Sequence, residues 1–403
     1  MTERSSLVDS RSASQASFQS TDARGLWRQD TAERILSITT LFLFTFVLLE
    51  AGLAILQKKV AQPMEHYPST LTIFQPCCTT ILFGIGALAV KGQLSRKRRR
   101  QLEGFSKING SLDPKNLGND ALIDLYSTAD HFPKWRLAVL GFLFTVSNFC
   151  TFSGISGDLV PLPIIVILKQ AAIPYTMLIA FLFLQKRFNL LHFLGVLLIL
   201  AGIVISIEPE IVHVQSATWW RIGLILIGIA FLSTAAVFME HSLKGYEQLE
   251  MFYMWFWINL FEVIFALPVV LLMILVQHIH PRDAPENVWQ GFKCLLAGQP
   301  SQEGDNCGEV GYWWIGFVSC LILDKINQAY LLRHTSSTLM WISSTCAVPL
   351  AALAALIPFL QLKHSGFSWW EIGGLFAVVC GLILYRITPE RQKQAAHYQS
   401  MIE

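Results

Sequence analysis

Ten stretches of mostly apolar residues punctuate the chain between Ile35 and Ile387, separated by shorter polar segments. They run Ile35 to Leu56, Ser69 to Val90, Trp135 to Phe152, Leu159 to Leu184 and Leu191 to Ile207, then Trp219 to Met239, Phe252 to Val276, Trp313 to Leu332, Ser336 to Leu360 and Trp369 to Ile387. A helix needs ~20 apolar residues to cross a hydrocarbon core of ~30 Å, so each stretch predicts one membrane-spanning helix. The chain therefore reads as an all-α membrane protein with ten transmembrane helices. Trp135, Trp219, Trp220, Trp313, Trp314, Trp369 and Trp370 stand at predicted helix starts, where an amphipathic indole gains by lying at the headgroup level.

Composition agrees with that pattern. Of 403 residues 53% are hydrophobic and 14% charged, with a mean hydropathy of +0.48, whereas soluble domains carry about a quarter charged residues. An ordinary soluble enzyme is excluded. Of the 30 Lys and Arg, 22 lie in or within a turn of the tails and the even-to-odd loops, and six lie on the other side. The positive-inside rule then places both termini in the cytosol. Arg96, Lys97, Arg98, Arg99 and Arg100 carry the densest charge, in a cytosolic loop over 91–134. With a net charge of only +2, this run reads as a topogenic anchor against the bilayer and not as a nucleic-acid site. Residues 1–34 hold seven serines and no apolar run, which predicts a disordered cytosolic tail; residues 388–403 form a second one. A plastid transit peptide is the alternative for the first tail, opposed by Glu3, Asp9, Asp22, Asp30 and Glu33, because transit peptides are poor in acids.

The two halves of the chain echo each other. Ile173-Pro174 is followed by Phe-Leu-Phe-Leu, a basic turn at Lys186-Arg187, then Leu191-His-Phe-Leu-Gly195 and Leu-Ala-Gly202. Val348-Pro349 is followed by Pro358-Phe-Leu, a turn with Lys363, then Trp370-Glu-Ile-Gly373 and Val-Cys-Gly381. Residues 35–207 and 219–387 thus read as two five-helix repeats, and an odd number of spans inverts the second relative to the first. Inverted repeats mark transporters, since two halves of opposite topology can exchange inward-open and outward-open shapes around one central site. Gly195 with Gly202, Gly374 with Gly381, and Ala347, Ala351 and Ala355 read chiefly as packing surfaces.

This pattern resembles the drug/metabolite transporter superfamily, and within it the chloroquine resistance transporter-like family. The residues that carry the likeness are Leu168-Lys-Gln170 through Ile173-Pro174, Glu240 with Lys244-Gly-Tyr246, Trp289-Gln-Gly-Phe-Lys-Cys294-Leu-Leu-Ala-Gly298, Asn306-Cys307-Gly308, Asp324 and Tyr385-Arg386. The resemblance implies two inverted five-helix repeats with cytosolic termini, and small charged substrates: amino acids, short peptides or cationic amphiphilic drugs. Plastid relatives are associated with glutathione-type thiols. It also implies a disulfide between Cys294 and Cys307 in the non-cytosolic loop over 277–312, worth ~3 kcal/mol by restriction of the unfolded chain; two free thiols in a mobile loop are the alternative. The other six of the eight cysteines lie in apolar runs, and none pairs with histidines at zinc spacing, so no metal site and no cofactor are expected.

Ionisable side chains in a bilayer core are costly and default to functional candidates. Lys169, Glu262 and Asp324 each lie ~15 Å into their spans, near the midplane, and should face the bundle interior. Lys325 points ~100° away from Asp324, so one of the two should pair across to another helix. Asn327 and Gln328 extend the Asp324 face, and Gln170 follows Lys169. These are the candidate cavity-lining residues, joined by Ser344 of Ser343-Ser344-Thr345, which precedes Pro349 as Lys169-Gln170 precedes Pro174. Glu262 and Asp324 are the candidate proton carriers. Glu50, Glu208 and Glu240 lie nearer predicted span ends, with a gating role or a headgroup contact as alternatives; the resemblance implies that Glu208 and Glu240 matter to transport. The structural alternative for the midplane group is a set of buried ion pairs, for example Lys169 with Glu262. No GxxxxGK[ST], HExxH, GxSxG or kinase-like set occurs, so enzyme chemistry finds no support.

The expected function is a secondary active transporter, proton-coupled and working by alternating access, in an acidic vacuolar or lysosomal membrane. Plastid and Golgi membranes are the alternatives for location, and a thiol or nucleotide-sugar carrier for activity. A non-transporting membrane scaffold leaves the repeat and the midplane charges unexplained. The sequon Asn109-Gly110-Ser111 falls on the cytosolic side, so glycosidase treatment of the protein made in eukaryotic membranes should leave its electrophoretic mobility unchanged; a shift would reverse the orientation.

Overall fold

The structure is a computed structural model, and it describes residues 37–109, 133–157, 162–184, 190–213, 216–245, 250–276, 282–299, 307–335, 337–345 and 369–387, with the single residues 160, 347 and 350. The predicted tails over 1–34 and 388–403, the tip of the basic loop, the side chain of Glu208, and Pro349 with most of the chain to 368 lie outside the described residues. The chain divides into two units, Met1–Thr45 and Phe46–Glu403. In the first, the described residues are helical, and Thr45 Oγ1 donates to the Phe42 carbonyl at 3.0 Å.

All regular structure among the described residues is helical. Helix α1 covers Ser37–Ala61, α2 Pro68–Asn109, α3 Lys134–Ile155, α4 Leu162–Lys169, α5 Ala172–Leu184, α6 Leu190–His213 and α7 Ser216–Gly245. Then come α8 Met251–Val276, α9 Ala284–Phe292, a π turn Lys293–Ala297, a 3-10 turn Cys307–Glu309, α10 Val310–His334, α11 Ser337–Ser344 and α12 Trp369–Ile387. Seven helical segments are long and apolar enough to cross a membrane. They coincide with the first, second, third, fourth, sixth, seventh and eighth predicted stretches. The fifth and tenth appear as shorter apolar helices, Leu190–Ile205 and Ile372–Gly381, and the ninth is described mainly over α11.

Two boundaries differ from the sequence reading in ways that matter. Helix α1 continues to Ala61, so Glu50 stands near its middle and not at a span end. Apolarity fades at Leu56, but Lys58 and Lys59 remain helical because both are buried. Helix α2 continues past its apolar part, which ends at Gln93, to Asn109; the run Arg96–Arg100 therefore lies on a helical extension.

The fourth span is two helices. Pro174 has no backbone N–H to donate, and the chain answers by tightening just before it. Gln170 N–H bonds the Ile167 carbonyl at 2.9 Å, Ala171 N–H bonds Leu168 at 2.9 Å, and Ile173 N–H bonds Gln170 at 3.1 Å, all of i to i+3 type. The carbonyls around the break are thus satisfied locally. Helix α4 ends at Lys169, five residues before Pro174, and α11 ends at Ser344, five residues before Pro349.

Helices α6 and α12 form the most extensive pair in the second unit, and glycines set their spacing. A Cβ added at Gly202 would lie 2.6 Å from the carbonyl oxygen of Gly374, and one added at Gly381 would lie 2.6 Å from that of Gly195. A late residue of each helix meets an early residue of the other, so the pair is antiparallel and the contact is reciprocal. Helix α3 packs on both α7 and α8, and α2 on α8. Much of the outer surface is apolar and exposed, as in Phe183, Leu197, Phe376 and Trp369, the pattern of helices that face lipid.

Backbone-to-backbone contact leaves no room for a methyl group. Gly202→Ala and Gly381→Ala should each cost about 1–3 kcal/mol through overpacking, whereas Gly373→Ala, with open space around it, should be neutral. Thermal unfolding of the detergent-purified protein checks this order.

Candidate functional site

The bundle core holds a polar network where hydropathy alone predicts hydrocarbon. Its centre is Lys325 on α10. The ammonium Nζ donates to Asn259 Oδ1 at 2.6 Å and lies 3.5 Å from Glu262 Oε1. Asn259 and Glu262 sit one turn apart on α8, so both face the same way. Thr79 Oγ1 of α2 donates to the same Asn259 oxygen at 2.7 Å, and Asn148 Nδ2 of α3 donates to Glu262 Oε2 at 3.3 Å. Trp255, one turn before Asn259, donates its indole N–H to the Lys325 carbonyl at 2.9 Å, and its ring lies 4.8 Å from the Lys325 ammonium. Phe144 provides a second aromatic face at 5.9 Å. Four helices thus converge on one ammonium group, and Asn259 and Glu262 have no exposed surface.

A second ion pair lies alongside. Lys169, the last residue of α4, places Nζ 3.7 Å from Glu50 Oε2 on α1. A cation at a helix C-terminus is favoured by the helix dipole, so the break before Pro174 holds Lys169 electrostatically as well as sterically. Lys169 therefore meets Glu50, and Glu262 meets Lys325; the pairing of Lys169 with Glu262 considered from sequence does not form. Asp324 stands between these pairs, within electrostatic reach of Glu50, Lys169 and Lys325. It is 6% exposed, and its Oδ1 has no hydrogen-bond partner among the described residues. Gln170 Oε1 is in the same state, although its Nε2 donates to the Val166 carbonyl at 3.3 Å. Asn327 and Gln328 are buried on α10.

The remaining predicted residues lie elsewhere. Glu240 is buried at the end of α7, where its Oε2 accepts from the Ser337 N–H at 2.9 Å and from the Ser337 hydroxyl at 2.6 Å. It caps the N-terminus of α11, the position where a carboxylate is most stabilising. Ser344 Oγ donates within its own helix, to the Trp341 carbonyl at 2.7 Å. Glu208 lies on α6.

At the opposite end from Glu240, two cations close the C-terminus of α3. Lys58 donates to the carbonyls of Ile155, at 3.2 Å, and Gly157. Arg221 of α7 donates to the Ser156 carbonyl and pairs with Glu65 at 2.7 Å. The loop between α8 and α10 covers this end. Its α9 donates from Asn287 to the His66 carbonyl at 3.1 Å, and Cys294 and Cys307 form a disulfide with Cα atoms 5.1 Å apart.

Sequence reasoning missed Thr79, Trp255, Asn259 and Asn148. The spacing of Asn259 and Glu262 on one helical face was the available signal; nothing local to Thr79 or Asn148 shows that they end beside it.

Helices apolar on their outer faces, joined by buried charges from five of them, define an integral membrane protein with a polar core. Residues 123–385 match the model of the CRT-like, chloroquine-resistance transporter-like family, and the chain belongs to that family. It is 26% identical to the "Chloroquine resistance transporter" of Toxoplasma gondii over 279 residues, 63% of this chain and 31% of that protein. It is 24% identical to "Crt homolog 1" of Dictyostelium discoideum over 308 residues, 68% of this chain and 64% of the relative. A third relative, "Protein CLT2, chloroplastic" of Arabidopsis thaliana, is 24% identical over 276 residues, 64% of this chain and 62% of that protein. The chain thus spans less than two thirds of the length of these relatives.

Removing one partner of a buried ion pair strands the other. Lys325→Met should cost about 3–5 kcal/mol, and adding Glu262→Gln should recover most of the loss, because the amide needs no counter-charge. Thermal unfolding of the two variants tests the pair; equal loss in both would mean that packing and not charge holds the site.

Proposed function

We propose that this protein is a secondary active transporter that moves small charged metabolites across an acidic organelle membrane, by alternating access and coupled to protons. The observation that carries the reading is the carboxylate of Asp324, buried at mid-depth with one oxygen lacking a protein partner. A buried polar atom left unpaired costs about 1–3 kcal/mol, more for a charged group, and a fold that only needed stability would replace it. A site that must accept and release a ligand has reason to keep it.

The charge balance supports a preference. Glu50, Glu262 and Asp324 contribute three carboxylates, and Lys169 and Lys325 contribute two ammonium groups, each against its own carboxylate. One negative charge is left over, so the site favours a cation or a proton, with amino acids, short peptides or cationic amphiphiles as the organic substrates. In this reading Glu262 and Asp324 carry protons, Lys169, Gln170, Asn327, Gln328 and Ser344 line the substrate path, and Glu208 and Glu240 act in gating. The cap that Glu240 makes on α11 links the end of the sixth span to the start of the ninth, as a gate requires.

The architecture is read as ten helices in two inverted five-helix repeats with cytosolic termini. Two features support it: the reciprocal glycine contact between α6 and α12, and the helix ends five residues before Pro174 and Pro349. Vacuolar or lysosomal membrane is the favoured location, and similarity to a chloroplastic relative supports a plastid membrane as the second.

Uptake by purified protein in liposomes tests the proposal, with labelled arginine, glutathione and a UDP-sugar compared with and without an imposed proton gradient. Gradient-driven arginine uptake is expected. Asp324→Asn should reduce it to the level of empty liposomes, and Glu262→Gln should remove its dependence on the gradient. Gradient-independent exchange of the UDP-sugar alone would overturn the reading, and so would normal pH dependence in both variants.

A further inference from the structure

A separate cavity of about 280 Å³ opens between the start of α3 and the ends of α5 and α7. Trp135 and Arg136 come from α3, Phe183 from α5, and Thr234, Phe238 and His241 from α7. It lies at the bundle end that borders the basic run, since α2 carries Arg96–Arg100 on its extension and α3 is the next helix along the chain. The buried charges of the core do not reach it.

Its chemistry is split. One part is aromatic and aliphatic: Phe183 is 76% exposed and continues an outward apolar face with Phe181 and Leu182. The other part carries two basic side chains, and no acidic residue is among its lining. Trp135, itself 60% exposed, marks the level where hydrocarbon meets headgroups. The start of α3 sharpens the point. The positive end of a helix dipole favours acids in the first turn, yet α3 opens with Lys134-Trp135-Arg136, has no acid in that turn, and its N-cap residue Pro133 makes no side-chain cap. Lys134 is directed to the Trp257 ring at 5.0 Å, while the Arg136 guanidinium lies 5.6 Å from the Trp135 ring beside the cavity. Two cations on a positive helix end repel what is already there, and an anion seated between Arg136, His241 and that end relieves it.

We propose that this cavity binds an anionic phospholipid from the leaflet that borders the basic run, with its phosphate against Arg136 and His241 and its acyl chains along Phe183. A soluble phosphate fits the cationic part only and leaves the apolar part unused, so the lipid is the occupant that matches both. The leaflet is named by the basic run, which by the positive-inside rule faces the cytosol, where anionic lipids are concentrated.

Native mass spectrometry of the detergent-purified full chain, with phosphatidylserine or phosphatidylcholine added, tests the site. Selective retention of phosphatidylserine is expected. Arg136→Gln should lower it about fivefold and His241→Asn should lower it further, following the ~1 kcal/mol that each surface cation contributes to anionic-lipid binding. Arg96→Gln, a cation on the α2 extension, should leave it unchanged. Thr234→Trp, which fills the cavity without altering charge, should also abolish selectivity, and Phe183→Ala, at an exposed position that folding does not depend on, should weaken it. Equal retention of both lipids would overturn the proposal. So would equal losses in Arg96→Gln and Arg136→Gln, which would mean diffuse attraction, or displacement of the lipid by inorganic phosphate alone.

Discussion

The cost of holding charge away from water organises the core of this protein. An ammonium or carboxylate in a medium of low dielectric is tolerable only with an opposite charge and well-placed hydrogen bonds. Lys325 obtains both from Glu262, Asn259 and the face of Trp255, and those partners in turn are oriented by Thr79 and Asn148. Each hydrogen bond crosses a helix boundary, so satisfying one charge fixes the relation of α2, α3, α8 and α10. The pair of Lys169 with Glu50 does the same for α1 and α4. Lipid tails supply no hydrophobic drive for helices to associate, which leaves such polar ties and close packing to define the bundle.

Close packing is visible where glycines let backbones touch. The reciprocal approach of α6 and α12 is the clearest case, and Gly141 of α3 meets α8 in the same manner, beside the backbone of Glu262. The network of charges and the network of small residues therefore meet on α8. A helix that carries both a buried acid and a backbone contact is restrained in rotation, which keeps Glu262 directed inward. Outside the core, the disulfide loop and the cations on the C-terminus of α3 tie one end of the bundle, and Glu240 ties the other. A transporter that alternates access must loosen these ends in turn while keeping its centre, and ties made of a few hydrogen bonds suit that demand better than a continuous apolar seam.

Much of this was legible without coordinates, because a membrane imposes length and polarity on every segment that crosses it. Lys169, Glu262, Asp324 and Lys325 stood out because nothing near them in sequence is charged, and the inference that Asp324 and Lys325 point apart followed from helical geometry alone. Their partners were not legible. Lys169 is 119 residues from Glu50 and 93 from Glu262 in the sequence, and no local pattern favours one over the other. The extent of α1 was misread at Glu50 for a related reason: apolarity marks where lipid begins and ends, not where a helix does, and Lys58 and Lys59 stay helical through contacts made with distant chain.

The sequence by itself determined the class of structure: spans, orientation, the break before Pro174, the pairing expected in the cysteine loop and the residues too costly to be incidental. These follow from composition and periodicity, which act over one helix at a time. Only the tertiary structure decided which acid meets which base, that Asn259 and Thr79 belong to the site, that Asp324 keeps an unpartnered oxygen, and that α3, α5 and α7 leave a cavity between their ends. Those outcomes depend on how helices rotate and approach one another, and that is set by the sum of many contacts between residues far apart in the chain.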